Sequence, residues 1–173
     1  MCGIIGISSN KSVSASIINS LKKLEYRGYD SAGVATLFEG EIKEVKSEGR
    51  VDNLEQNFDL KSLKGNVGIG HVRWATHGVP NSINAHPHSS DNVSVVHNGI
   101  IENSTILKKH LINKGHNFKS QTDTEVIVHL ITENLKTSDL EEAITKTLKQ
   151  LHGSFALGIV FKDIPDLIVG ARR

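Results

Sequence analysis

The chain holds one cysteine, one methionine, one tryptophan and three prolines in 173 residues. One cysteine cannot close an internal disulfide, so nothing covalent staples the fold, and the usage suits the cytoplasm. No apolar run approaches the ~18–20 residues that cross a bilayer, so no membrane partner is expected. A basic segment followed by an apolar stretch is missing from the N-terminus, so no secretory signal is expected. Excess charge is missing too: 20 Lys and Arg against 19 Asp and Glu leave +1. That balance gives no electrostatic case for nucleic acid or an anionic surface. Metal signatures are thin. There are nine histidines, but they include only an x-Pro-x pair, His86-Pro87-His88, and no His-Glu-x-x-His. Loop-shaping hydrogen bonds are expected of them rather than metal. The glycine-rich run Gly65–Gly70 opens a strand instead of leading from a strand into a helix. It is therefore no dinucleotide or phosphate loop, and no cofactor is expected.

What remains is an ordinary soluble composition, 38% hydrophobic and 23% charged, long enough for one domain with a sizeable core. Strands are predicted over Cys2–Ser8, Ala32–Phe38, Glu41–Lys46, Val67–Arg73, Val93–Asn98, Ser154–Phe161 and Asp166–Ala171. The Ala32–Phe38 and Glu41–Lys46 pair reads as a hairpin. Helices are predicted over Ser14–Glu25, with Gly28 as a cap, a short one around Val51, Leu54 and Phe58, and Ser104–Lys114, Asp123–Lys136 and Asp139–His152. Thr122-x-x-Glu125 and Ser138-x-x-Glu141 have the capping-box pattern. Trp74–Asn92 reads as a long functional loop. Runs of strands with hairpins predict an α+β fold built on antiparallel sheet.

The lone Cys2 stands behind Met1, and its small side chain permits removal of that methionine. The result is a thiol and a free α-amine on one residue. An α-amine titrates near ~8 and serves as a base at neutral pH, while a thiol near ~8.5 gains from one. Three histidines, His71, His77 and His97, are the alternative bases if Met1 is retained. Asn98-Gly99 reads first as a tight turn and second as a pair of oxyanion donors. Arg73 ends an apolar strand, where a guanidinium grips a carboxylate or makes a structural ion pair. Trp74 reads as a core or loop anchor, and Asp123, one residue past a helix cap, as a helix-dipole carboxylate or a partner for an ammonium. Arg73 and Asp123 together suit an amino-acid zwitterion, although spacing alone does not bring them together.

Six blocks in register carry a resemblance: Cys2-Gly3-Ile4-Ile5-Gly6, Leu24–Gly33 (with Tyr26-Arg27-Gly28-Tyr29-Asp30), His71–Gly78, Asn84–His88, Val96–Asn103 and Thr122–Ile127. The chain resembles the glutaminase domain of the glutamine–fructose-6-phosphate aminotransferases (glucosamine-6-phosphate synthases), class II glutamine amidotransferases. The resemblance implies an N-terminal-nucleophile hydrolase fold, an αββα four-layer sandwich of two antiparallel sheets. It implies glutamine as substrate and Cys2 as the nucleophile that forms a γ-glutamyl thioester and releases ammonia. Asn98 and Gly99 are implied as the oxyanion hole, and Arg27 as a residue ordering the nucleophile's surroundings. Arg73 and Asp123 are implied to hold the α-carboxylate and α-amine, with Thr76 and His77 assisting, and Trp74 belongs to a loop that closes over glutamine. Against that pattern, residues 2–173 read as one truncated glutaminase domain, incomplete at its C-terminus and without the isomerase half. A separately encoded sugar-phosphate isomerase domain is then the candidate partner. Alone, the chain is expected to act at most as a glutaminase, the alternative being a non-catalytic fragment that binds glutamine or a partner.

Overall fold

The computed structural model describes residues 2–173. Its organisation is clearest along the strand Val67–Arg73, where side chains alternate between two faces. Val67 and Ile69 join an apolar layer with Val96 and Val160, while Val72 packs with Ile17, Ile18 and Leu21. Gly68 and Gly70 lie on the second face. A Cβ on either would come within 2.8 and 2.6 Å of Ile17. Their bareness lets the helix carrying Ile17 lie close against the sheet.

The elements in chain order are β1 (Gly3–Ser8), α1 (Ser14–Leu24), β2 (Ser31–Phe38), β3 (Glu41–Glu48), α2 (Asp52–Asn57), β4 (Val67–Arg73), β5 (His88–Ser89), β6 (Val93–Ile101), α3 (Ser104–Asn113), α4 (Thr124–Leu135), α5 (Leu140–Gln150), β7 (Gly153–Phe161) and β8 (Ile164–Arg172). One antiparallel sheet has the order β1-β4-β2-β3 and the other β5-β6-β7-β8. On the outside of the first sheet, α1 buries Ile17, Ile18 and Leu21, each worth about 1.5–3 kcal/mol. On the outside of the second, α4 lays Val126, Ile127, Leu130 and Ile131 over Val93, Val95 and Ile101 of β6. Between the sheets run Ala35, Leu37, Val67, Ile69, Val96 and Val160. Helix, sheet, sheet, helix is the four-layer order that the resemblance implies, and its antiparallel α+β character is what the sequence pattern predicts.

Several local expectations are corrected. Asn98-Gly99 makes no turn. Strand β6 continues to Ile101, with Asn98 opposite Ala156 and Gly99 opposite Phe155. Gly99 has φ +128°, and a Cβ there would stand 2.1 Å from the Ser154 carbonyl oxygen. The glycine thus serves a close interstrand approach inside a ladder. Gly28 is not a left-handed helix cap. α1 ends at Leu24, a 3-10 turn over Glu25–Arg27 follows, and Gly28 is extended. A Cβ on it would meet the Arg73 carbonyl carbon at 2.6 Å, so its role is to let β4 pass.

Neither predicted capping box forms, and both helices take their N-cap one residue later. Asp123 is itself the N-cap of α4, with no side-chain cap bond. Glu125 instead accepts the Lys119 and Ser120 N–H groups at 2.8 and 2.6 Å. Asp139 caps α5 by accepting from Glu142 N–H at 2.9 Å. The loop expected over Trp74–Asn92 holds the two-residue strand β5, paired with Val95 and Ser94.

Candidate active site

Each functional side chain is placed by the end or the alternation of an element. Cys2 immediately precedes β1, and Arg73 closes the neighbouring strand β4. The antiparallel pairing therefore brings positions 2 and 73 together from opposite chain directions. In β6, Val96 and Asn98 face the first sheet, while Val95 and His97 face α4. Asp123 sits at the head of α4, beside Ile101. These residues converge on a cavity of about 610 Å³. It is lined by Cys2, Arg27, Arg73, Asn98 and Asp123, together with Trp74, Thr76, His77 and Gly99. Every residue that the resemblance assigns to the site lines this one cavity, as do the alternative bases His77 and His97, whereas the third, His71, does not.

The Cys2 thiol is half-buried. Its Sγ accepts the Trp74 backbone N–H at 3.2 Å and lies 3.5 Å from the Trp74 carbonyl oxygen. The Cys2 carbonyl is clamped twice, by Arg27 Nε at 3.1 Å and by Asn98 Nδ2 at 3.2 Å. Burial pushes the thiol pKa up, against the pull of the Trp74 N–H. A thiol in that state is protonated at neutral pH and needs a base. No histidine hydrogen-bonds directly to Sγ, whose partners are both Trp74 backbone groups, although His77 and His97 line the same cavity. Burial pushes the His71 pKa down to about 3, which makes that ring a weak base.

The Arg73 guanidinium is buried. Nη2 donates to the His77 carbonyl, whereas Nη1 is buried without a partner. Burial also lowers the Arg73 pKa, partly offset by Asp30, Cys2 and Asp123. The ion pair proposed for Arg73 as an isolated residue is absent among the described residues, leaving Nη1 free for a ligand. Asp123 uses Oδ2 to accept the Ile101 N–H at 2.7 Å. Its Oδ1 stands 4.0 Å from His97 Nδ1. Trp74 is no core anchor: it is half-exposed, with its ring edge-on to Tyr29 at 5.6 Å.

Several residues that build this arrangement have no site role in the sequence reading. Asp30 accepts the Ala75 N–H and the Ser31 hydroxyl at 3.0 Å, tying down the segment after Arg73. Thr124 Oγ1 meets His86 Nε2 at 2.6 Å and His97 Nδ1 at 2.9 Å. Thr122 Oγ1 meets His88 Nε2 at 3.0 Å. His86 and His88 thus hydrogen-bond to the start of α4. Among the described residues no group of three or more His, Cys, Asp or Glu side chains is arranged to hold a metal. The available signal was the crowding of His71, His86, His88 and His97 onto apolar strands and their loop. Polar residues in such positions must find partners.

Comparison with known proteins points the same way. Residues 71–172 match the family model described as a glutamine amidotransferase domain. The chain is 55% identical over 174 residues to a glutamine–fructose-6-phosphate aminotransferase (isomerizing) of Mesorhizobium japonicum, covering 100% of this chain and 29% of that protein. It is 52% identical over 176 residues to the Pyrococcus horikoshii enzyme of the same name, again 100% and 29%. The chain therefore spans about three-tenths of the length of these curated relatives. A solved glutamine phosphoribosylpyrophosphate amidotransferase of B. subtilis superposes with TM-score 0.79 at 32% identity, over 94% of this chain and 35% of that one. A class-II glutamine aminotransferase domain protein of Silicibacter pomeroyi shares the fold at TM-score 0.67 and 15% identity, over 99% and 76%.

Proposed function

The chain belongs to the glutamine amidotransferase domain family, and we propose that it hydrolyses the glutamine side-chain amide at Cys2, once Met1 is removed, to give glutamate and ammonia. One observation carries this reading: a thiol, a carboxamide donor, a buried arginine with an unpartnered Nη1 and a carboxylate meet in one cavity. Those are the groups an amino-acid amide needs, one for each end of the zwitterion and two at the reacting centre.

In this mechanism the α-carboxylate of glutamine pairs with Arg73 Nη1, and its α-amine pairs with Asp123, whose other oxygen Ile101 N–H holds in place. Thr76 and His77 line the cavity beside Arg73, and Trp74 covers the bound substrate. The protonated thiol passes its proton, through a water, to the Cys2 α-amine. Sγ then attacks the amide carbon. Negative charge developing on the amide oxygen is met by Asn98 Nδ2 and the Gly99 N–H, donors of a kind worth ~10²–10³ in rate each. The ammonium returns its proton as the C–N bond breaks and ammonia leaves. Water then cleaves the thioester and frees glutamate. Arg27 keeps the Cys2 carbonyl fixed throughout.

No helix among the described residues is long and apolar enough to cross a membrane. The cytoplasm is the compartment we assign, where glutamine is the substrate at hand. We assign the ammonia to a sugar-phosphate isomerase half that these 173 residues do not form, by analogy with the aminotransferase activity for which the curated relatives are named.

The test is ammonia release from glutamine by the Met1-free chain. Hydroxylamine should trap a γ-glutamyl group from Cys2, Cys2→Ala should release no ammonia, and a form retaining Met1 should be inactive. Glutamine binding by the parent without turnover would leave the non-catalytic alternative standing. Turnover by Cys2→Ala at the parental rate would end the proposal.

A further inference from the structure

A carboxamide used as an oxyanion donor has a problem of orientation. Rotated by half a turn, Asn98 would present an oxygen, not an N–H, to the reacting centre. The structure decides the orientation across the gap between the two sheets. His71, on β4 of the first sheet, places Nε2 3.0 Å from the His97 carbonyl oxygen and 2.9 Å from Asn98 Oδ1. A backbone carbonyl only accepts, so Nε2 carries the hydrogen. The Asn98 atom facing that hydrogen must accept as well, which makes it Oδ1. The Nδ2 group then points to the Cys2 carbonyl, another pure acceptor, at 3.2 Å. Both ends of the chain His71–Asn98–Cys2 agree. His71 is fully buried, and its ring stacks on His86 with centroids 4.3 Å apart. Burial holds the ring neutral at working pH, so the tautomer is fixed by geometry and not by titration.

We propose that His71 is a positioning residue for glutamine hydrolysis: its Nε2–H, shared between the His97 carbonyl and Asn98 Oδ1, locks the Asn98 carboxamide with Nδ2 toward Cys2. This rests on the reading that Asn98 stabilises the oxyanion, and it adds a residue outside the cavity to the site. The same bond ties the nucleophile's sheet to the donor's sheet.

The test is a double-mutant cycle on the Met1-free chain with ammonia release as the readout. His71→Leu removes the donor and should lower kcat by roughly 10–100-fold, less than deleting the Asn98 donor itself, because an unanchored amide still samples the correct orientation. KM for glutamine should stay within about twofold, since neither zwitterion partner is touched. His71→Gln, which keeps an N–H near the Nε2 position, should return kcat to within about fivefold of the parent. In the Asn98→Ala background His71→Leu should cost less than about threefold more, because the group it orients is gone. Alkylation of Cys2 by iodoacetamide develops no oxyanion and should proceed at the parental rate in every variant. If His71→Leu does not fold, His71→Asn, polar but too short to reach Asn98, takes its place in the cycle. Additive losses, a loss carried by KM, or no loss at all would overturn the positioning role while leaving glutamine hydrolysis intact. A parent whose Cys2 alkylates normally but which releases no ammonia would overturn both readings.

Discussion

The layer between the two sheets has two ends that the same strands build in opposite ways. At one end Val67 and Ile69 of β4 meet Val96 and Val160 of the second sheet, with Ile4, Ile42 and Ile168 around them. At the other end the same face of β4 continues as His71 and Arg73, and the same face of β6 continues from Val96 to Asn98. Both strands change from apolar to polar at the same level. The difference shows in unmet polar atoms. Six buried side-chain N or O atoms among the described residues have no partner. Four of them, His71 Nδ1, Arg73 Nη1, His86 Nδ1 and His97 Nε2, gather around the site. Each such atom costs about 1–3 kcal/mol when nothing answers it. One end of the layer stabilises the fold, and the other carries the local cost of a site built to receive a polar ligand.

If the ends are separable, the apolar one should fail in stability alone. Ile69→Ala deletes a fully buried side chain and should lower the unfolding free energy by about 2–5 kcal/mol, read from urea melts. Its kcat and KM for glutamine, measured on the folded fraction, should match the parent. A drop in kcat beyond the unfolded fraction would mean that the two ends communicate.

Acid should act on the polar end. In the unfolded chain an imidazole takes up a proton near ~6.5, whereas in the fold His71 and His88 do so only near about 3, because burial disfavours the charged ring. Between those values the unfolded state binds more protons. The stability these neutral rings contribute is complete above about 6.5 and falls as pH drops towards 3. Going from pH 7 to pH 5 should remove roughly 2 kcal/mol for each such histidine. His71→Gln should flatten that dependence by one histidine's share, and Ile69→Ala should leave its slope unchanged. Equal slopes for parent and His71→Gln in urea melts would show that His71 is not held neutral.

The sequence makes one part of this contrast legible and hides the other. Cys2 and Arg73 sit at strand ends, where a reactive or charged residue breaks an apolar pattern and stands out. Asp123 is visible in the same way at a helix head. Asn98-Gly99 is visible as a pair but misleads about local structure, because the φ freedom that suits a turn also suits a crowded ladder position. The capping boxes mislead for a related reason. Thr122 and Glu125 are committed to His88 and to the Lys119–Ser120 backbone, so tertiary partners override the local motif. His71 is visible only as a candidate base, and its positioning of Asn98 is hidden. Its role depends on which carbonyl lies across the gap, and that carbonyl is 26 residues away in the chain.

The smallest of these effects belongs to Arg73, and it separates substrate recognition from folding at the polar end. Arg73→Lys keeps the positive charge but replaces a fork of donors by one ammonium. In the parent, Nη2 holds the His77 carbonyl while Nη1 is left over. A lysine at this position cannot do both, so either the segment after residue 73 loosens or the ligand carboxylate loses its partner. Because lysine keeps the charge, only part of a charge-assisted hydrogen bond worth about 1.5–3 kcal/mol is lost, which should appear as a rise in KM for glutamine of about tenfold. The urea midpoint should hardly move. 4-Aminobutanamide, which is glutamine without its α-carboxylate, identifies the lost contact. Parental Arg73 should discriminate strongly against it, and Arg73→Lys should narrow that discrimination by the same factor by which it raises KM for glutamine. If the variant lost ground equally on both substrates, Arg73 would be serving the loop and not the carboxylate. The polar end would then differ from the apolar end in composition but not in purpose.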